Sequence, residues 1–324
     1  MERPYSHPTV DRSPPTAPIQ CLIHRRRFWG ATPIASLFFP GGLVLLTALV
    51  LGLAGALLRP LPAVAQEVTV STGAQYALGE YIFTEETELF AWTTGLSVRQ
   101  GRVEVGVSVP LLVQTQPWLS YGGIGPTPSG GPQHGVLGQG RNGPQRGRRT
   151  PIALPDTGAF RNTGLGDPLV RASYDLPVGS DTSRLRVQLT GTLKPPVADA
   201  DEGFSTGAWD GGLGVALARA FAPWFLLAEG TYWRLGDLEA LPLNDVFSYS
   251  VGTGRSVYRG RGGVLASFSG STTVISGTDP PISLTGGFSY TPAPWTLSAT
   301  ASSGLTEGAA DWTVGLGLSV TLRR

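Results

Sequence analysis

Beyond residue 65 the chain has no cysteine, since its one thiol, Cys21, lies upstream. Disulfides, thiol nucleophiles and cysteine-held metals are therefore excluded from residues 66–324. Histidine is almost as scarce. His7 and His24 also precede residue 65, which leaves His134 in the loop Gly131-Pro132-Gln133-His134-Gly135. One histidine in a Gly/Pro loop supplies neither a zinc ligand set nor the base of a hydrolytic triad with fixed neighbours. The expectation is no metal, no cofactor and no enzyme activity. Lysine occurs once, at Lys194. Charged residues make up 15% of the chain, against about 25% in ordinary soluble domains. Residues 1–65 hold six Arg and two acids; without them 18 basic and 21 acidic residues remain, a net of −3. With no basic stripe, nucleic acid is not an expected partner. No segment after residue 65 shows a 3.6-residue apolar period, so amphipathic helices are missing too.

Glycine is abundant, with 45 residues, and the hydrophobic share is 41%. Low charge with this much apolar content points to strands and tight turns rather than disorder. The chain divides at residue 65. Residues 1–40 are Pro- and Arg-rich and include His24-Arg25-Arg26-Arg27. Residues 41–58, GGLVLLTALVLGLAGALL, are uncharged, and Ala63-Val64-Ala65 follows. A basic region, an apolar core and a small-residue cleavage site describe a secretory signal peptide over 1–65 with a long basic leader. The alternative is an uncleaved anchor, since about 18 apolar residues nearly span a bilayer. Arg26-Arg27 also permits a twin-arginine reading.

From residue 66 onward, alternation of period two recurs. In WTTGLSVRQGRVEVGVSVPLL, residues 92–112, two alternating runs flank Arg99-Gln100-Gly101, a hairpin pattern. Twelve strands are expected, near 68–76, 88–98, 102–112, 165–176, 184–193, 209–219, 223–235, 245–255, 259–269, 281–291, 294–304 and 311–322. Their lengths fit strands crossing a bilayer, about 9–11 residues, better than soluble strands of about 5–6. Trp92, Trp209, Trp224, Trp233, Trp295 and Trp312 gather near strand ends, as aromatic girdles do. Short connections follow every even strand, and those after odd strands are mostly longer. A closed up-and-down transmembrane barrel over 66–324 has that asymmetry, with short turns and both termini in the periplasm. It must close, because hydrocarbon cannot satisfy an open strand edge. The valine-rich face of the opening hairpin is then expected to meet lipid, and its Gly/Ser/Thr face a wet lumen.

The long interruption 113–164 is too rich in Gly and Pro for regular structure and is expected as an extracellular loop. Either it lies on the surface, or it folds inward and presents Arg141, Arg146, Arg148 and Arg149 to anions or lipid phosphates. Charges on the polar strand faces, Glu104, Arg171, Arg186, Asp210, Glu229 and Arg234, are expected in the lumen, pairing across it or forming a selectivity ladder. Two acidic groups, Asp199/Asp201/Glu202 and Glu85/Glu86/Glu88, read as solvated loop charge or weak calcium sites. Asp167 reads as a turn cap, or alternatively as a solute contact. Gly211-Gly212-Leu213-Gly214 lies inside a strand and relieves crowding in the wall.

Three stretches carry a resemblance. Gly164-Leu165-Gly166-Asp167-Pro168 runs into LVRASYDLP. Leu193-Lys194-Pro195-Pro196 precedes Ser205-Thr206-Gly207-Ala208-Trp209-Asp210. SGLTEGAADWTVGLGLSVTL begins at Ser303. Together, over roughly 70–322, these resemble the outer-membrane transporter family named for the meta-pathway of phenol degradation. The resemblance implies an outer-membrane barrel that passes small, aromatic or otherwise hydrophobic solutes and carries no catalytic residues. A non-conducting structural or adhesive barrel is the alternative. Outer-membrane lipid, the barrel-assembly machinery and a small-molecule solute are the expected partners. In one departure, the chain ends Val320-Thr321-Leu322-Arg323-Arg324, with Leu322 where outer-membrane barrels usually carry an aromatic residue read by the assembly machinery.

Overall fold

The structure is a computed structural model that describes residues 66–79, 87–115, 118–120, 126–128, 162–178, 185–237 and 243–323. The expected signal peptide, Glu85, Glu86, His134 and the four loop arginines lie outside the described residues.

Among the described residues fifteen strands form in chain order. The first five are β1 (Gln66–Gly79), β2 (Thr87–Gln100), β3 (Val103–Gln114), β4 (Trp118–Ser120) and β5 (Pro126–Pro128). Then follow β6 (Asn162–Leu165), β7 (Leu169–Leu176), β8 (Leu185–Lys194), β9 (Asp210–Phe221) and β10 (Trp224–Arg234). The last five are β11 (Val246–Val257), β12 (Gly262–Ser271), β13 (Ile282–Tyr290), β14 (Trp295–Gly304) and β15 (Trp312–Arg323). Apart from the small β4–β5 pair and from β6 and β7, which both pair with β3, each strand pairs antiparallel with its sequence neighbours, β1 pairs with β15, and the ring closes. Because β6 and β7 pair with the two ends of β3, they act as one stave, and the closed barrel has twelve staves. Closure runs from Glu67↔Arg323 to Leu78↔Trp312.

All twelve expected strands are present, with two corrections. The run expected over 165–176 is broken. Ser108 pairs with Leu169 and Leu111 with Leu165, so Val109 and Pro110 face three residues, Gly166, Asp167 and Pro168. This is a β-bulge, and two prolines that cannot donate to the ladder explain it. The Gly166 N–H still reaches the Pro110 carbonyl at 2.9 Å. The segment 113–164, expected to lack regular structure, contains the β4–β5 hairpin and β6. At the opening hairpin, Gly101 takes φ +60°, the left-handed conformation a tight turn requires.

The two sheet faces differ as the alternation requires. On β15, Trp312, Val314 and Leu316 are exposed, while Thr313, Gly315, Gly317 and Ser319 are half-buried. Val103 and Val105 of the opening hairpin are likewise exposed on the outside. Outward apolar residues recur on strands throughout the barrel, including Leu189, Leu213, Val251, Phe268, Leu284 and Leu297. Trp224 and Trp295 lie outward at the short-turn end, and Trp209 and Trp312 at the long-loop end. The Arg255 guanidinium stacks 5.7 Å from the Trp224 ring centroid. Trp233 departs from this girdle. It alternates with outward Tyr232, so it points inward and is 1% exposed.

Candidate functional site

An outward belt of this extent cannot face water as a monomer, since contiguous apolar patches on soluble proteins rarely exceed a few hundred Å². The site is therefore sought inside. The interior is polar along most staves, with an apolar stretch of Ala216, Ala218, Ala220, Phe225 and Leu227 on β9 and β10, and is crossed at its long-loop mouth by a strap, residues 195–209, which joins β8 to β9.

Phe204 anchors the strap. It is 1% exposed and forms one apolar cluster with Ala77 of β1, Leu89 of β2 and Leu112 of β3, with Ala198 and Ala310 packed alongside. A Cβ at residue 164 would overlap the Phe204 ring, so Gly164 leaves the space the ring fills. Gln114 Nε2 donates to the Gly203 carbonyl at 2.7 Å, and Asn162 Nδ2 to the Glu202 carbonyl at 2.8 Å. A second cluster, Trp233, Leu235, Leu243, Val246 and Val274, lies at the same mouth. The acidic group Asp199/Asp201/Glu202 is explained locally. Asp199 Oδ1 accepts the N–H groups of Asp201 and Glu202 at 2.9 and 3.1 Å, capping a turn in the strap.

The strap is fixed to the wall by a buried ion cluster. Lys194 Nζ lies 3.0 Å from both Asp167 Oδ2 and Asp210 Oδ2, and all three side chains are at most 2% exposed. The ammonium also donates to Thr206 Oγ1 at 2.8 Å, so its three N–H bonds have three acceptors. Asp167 Oδ1 accepts the Val197 and Ala198 N–H groups, each at 2.9 Å, and Oδ2 accepts the Ser205 hydroxyl at 2.6 Å. Asp210 Oδ1 accepts the Gly236 N–H at 2.8 Å. The β6–β7 bulge places Asp167 where it can do this. Asp167 is thus a cap, as expected, but of a strap some thirty residues downstream rather than of its own turn. Gly166 also lies against a neighbour, since a Cβ there would meet the Leu112 side chain at 2.8 Å.

Nearer the short-turn end, a second charged network lines the wall. Arg99 bonds Glu104 at 2.6 Å and Asp175 at 2.9 Å, and Arg186 bonds Asp175 at 2.8 Å. Gln188 Nε2 donates to Asp175 Oδ1 at 3.1 Å. Beside it is an inward recess of about 300 Å³, lined by Ser71, Ser97, Ser108, Ser173, Glu104 and Arg171 among others.

Five of the six expected lumen charges share the inward parity: Glu104, Arg171, Arg186, Asp210 and Glu229. Of the two expectations, pairing among the six across the lumen or a selectivity ladder, the pairing does not occur. Glu104 and Arg186 bond Arg99 and Asp175 on adjacent staves, and Asp210 is taken up by Lys194. Arg171 and Glu229 have no ion-pair partner among the described residues. Arg234 is corrected outright. It shares the parity of Tyr232, which is 53% exposed on the outside, so strict alternation carries Arg234 to the outer rim. Sequence reading missed Lys194, Arg99, Asp175, Ser205, Thr206 and Phe204. The one signal was Lys194 itself, a lone lysine at the inward end of an alternating run. Among the described residues no group of His, Cys, Asp and Glu could hold a metal ion.

No sequence-family model matches the chain, and no curated protein does. The fold is similar to that of the COG4313 outer membrane channel from Pseudomonas putida F1. The TM-score is 0.53 at 11% identity, over 82% of this chain and 97% of that one. The NanC porin (TM-score 0.45, 11% identity, 78% and 100% covered) and the CymD monoaromatic hydrocarbon channel (0.41, 12%, 80% and 88%) match less well. At such identity the likeness to the first concerns the barrel fold alone.

Proposed function

We propose that this chain is an outer-membrane channel that passes small solutes passively and has no enzymatic activity. The observation that carries the reading is the inverted distribution of side chains: an apolar belt outside and a lining mostly of Ser, Thr, Gly and charged residues inside a ring with no free edge. Twelve staves lie between eight-stranded barrels whose interior is filled and open porins of 16–18. A lumen of that size, narrowed by the strap, suits small molecules. In this reading the short turns face the periplasm, the strap faces outward, outer-membrane lipid covers the belt, and the barrel-assembly machinery inserts the exported chain. Passage of aromatic or hydrophobic solutes is what the family resemblance adds.

One observation favours the non-conducting alternative. Phe204 and the Trp233 cluster set apolar side chains across the mouth. Single-channel recording of the refolded protein and of Phe204→Ala decides between them. The channel reading expects current from the parent and a larger unit conductance from the variant, whose strap has lost its anchor. Silence from both, in barrels shown to be folded, makes the protein structural.

A further inference from the structure

The lumen wall has two halves, and their difference bears on what passes. Staves β2 to β10 carry the inward charges: the Arg99–Glu104–Asp175–Arg186 network, Arg171, Glu229 and the Lys194 cluster. On β11 to β15 and β1 the inward positions are Ser, Thr and Gly, with Val246, Leu265, Gln75 and Ala77. The inward charges on those six staves are Glu67 and Arg323 at the short-turn rim, which bond each other at 3.1 Å.

We propose that the permeant solute is small, uncharged and hydroxyl-bearing, and that it tracks the β11–β1 wall. The inference rests on the channel reading above. The argument has three parts. First, the charges that face the bore are balanced, and the Lys194 cluster, one lysine against two aspartates, is buried away from it. In the four-membered network two guanidinium groups meet two carboxylates, and Arg171 and Glu229 are of opposite sign. An ion leaving bulk water for a narrow lumen needs compensating charge, and little is left over. Second, the other half offers unused hydrogen bonds. The hydroxyls of Ser250, Ser267, Thr285, Ser298, Thr300 and Ser319 have no hydrogen-bond partner among the described residues. Each hydroxyl has one donor and two acceptor lone pairs, the complement of another hydroxyl. Third, glycine stands beside several of them in the ladder: Ser267↔Gly252, Ser298↔Gly317 and Thr300↔Gly315. Nothing bulky on those neighbours stands between the hydroxyls and a solute. A purely apolar solute would strip water from these groups and replace none of its bonds.

Vesicles of phosphatidylcholine containing the refolded protein test this by osmotic swelling in erythritol, succinate and choline, with reversal potentials in a KCl gradient alongside. The expected result is erythritol entry about tenfold faster than either ion, reflecting the unmet desolvation of a charge, and a reversal potential near zero. Ser298→Ala with Thr300→Ala should slow erythritol about three- to tenfold, the equivalent of one net hydrogen bond, with KCl conductance unchanged; small-for-small replacement on an exposed wall preserves folding. Succinate or choline entering as fast as erythritol, a strongly ion-selective potential, or an erythritol rate untouched by the alanines overturns the proposal while the channel stands. Folded barrels that pass neither current nor solute overturn both readings.

Discussion

Lys194 holds two carboxylates inside a wall that excludes water from all three, and the consequences can be measured. Lys194→Met leaves Asp167 and Asp210 buried without their cation, which should cost about 3–5 kcal/mol. Urea unfolding of the refolded barrel checks this. The triple change Lys194→Met, Asp167→Asn, Asp210→Asn should be more stable than Lys194→Met alone, because neutral groups carry a smaller burial penalty. The reverse order would mean that the cluster is not dry. Gly164 and Phe204 make a second residue-scale test. Gly164→Ala should destabilise by about 1–3 kcal/mol through overpacking, and a double-mutant cycle should show that penalty relieved in the Phe204→Ala background. These partnerships were not legible in the sequence. Asp167, Lys194 and Asp210 stand 27 and 16 residues apart. Period-two patterning says which way a side chain points but not which stave lies beside it. Two of the three quoted motifs did mark the place, since the first supplies Asp167 and the second Lys194 and Asp210.

At the scale of the element, alternation was enough to find every stave, because a barrel wall with oil outside and water inside imposes one rule along its length. It failed where that rule lapses. Pro110 and Pro168 interrupt the ladder and create the bulge, and the strap obeys no period at all. Arg234 was misplaced because a charge near a strand end reads as lumenal by habit, whereas parity with Tyr232 carries it outside. The face assignment has its own test on β11. Val251, 59% exposed, alternates with inward Ser250. Val251→Arg should cost about 2–4 kcal/mol in a bilayer and Ser250→Arg much less, because a lumen arginine stays hydrated. Refolding titrations in vesicles report both, and equal costs would mean the faces are exchanged.

For the whole molecule, closure unites these features. The β1–β15 seam leaves no edge unpaired, the belt requires hydrocarbon, and the strap narrows what would otherwise be an open bore. The absence of cysteine after residue 65 makes one measurement unusually clean. Single cysteines placed in turn from Thr313 to Thr321 along β15, spin-labelled in lipid vesicles, sample both faces of the seam strand. Oxygen partitions into hydrocarbon and a nickel chelate into water, so their collision rates distinguish the two. The account predicts strict alternation: oxygen-accessible labels at 314, 316, 318 and 320, and chelate-accessible labels at 313, 315, 317, 319 and 321. Labels open to the chelate on both faces, or shielded from oxygen at the even positions, would contradict a barrel that meets lipid with its apolar side.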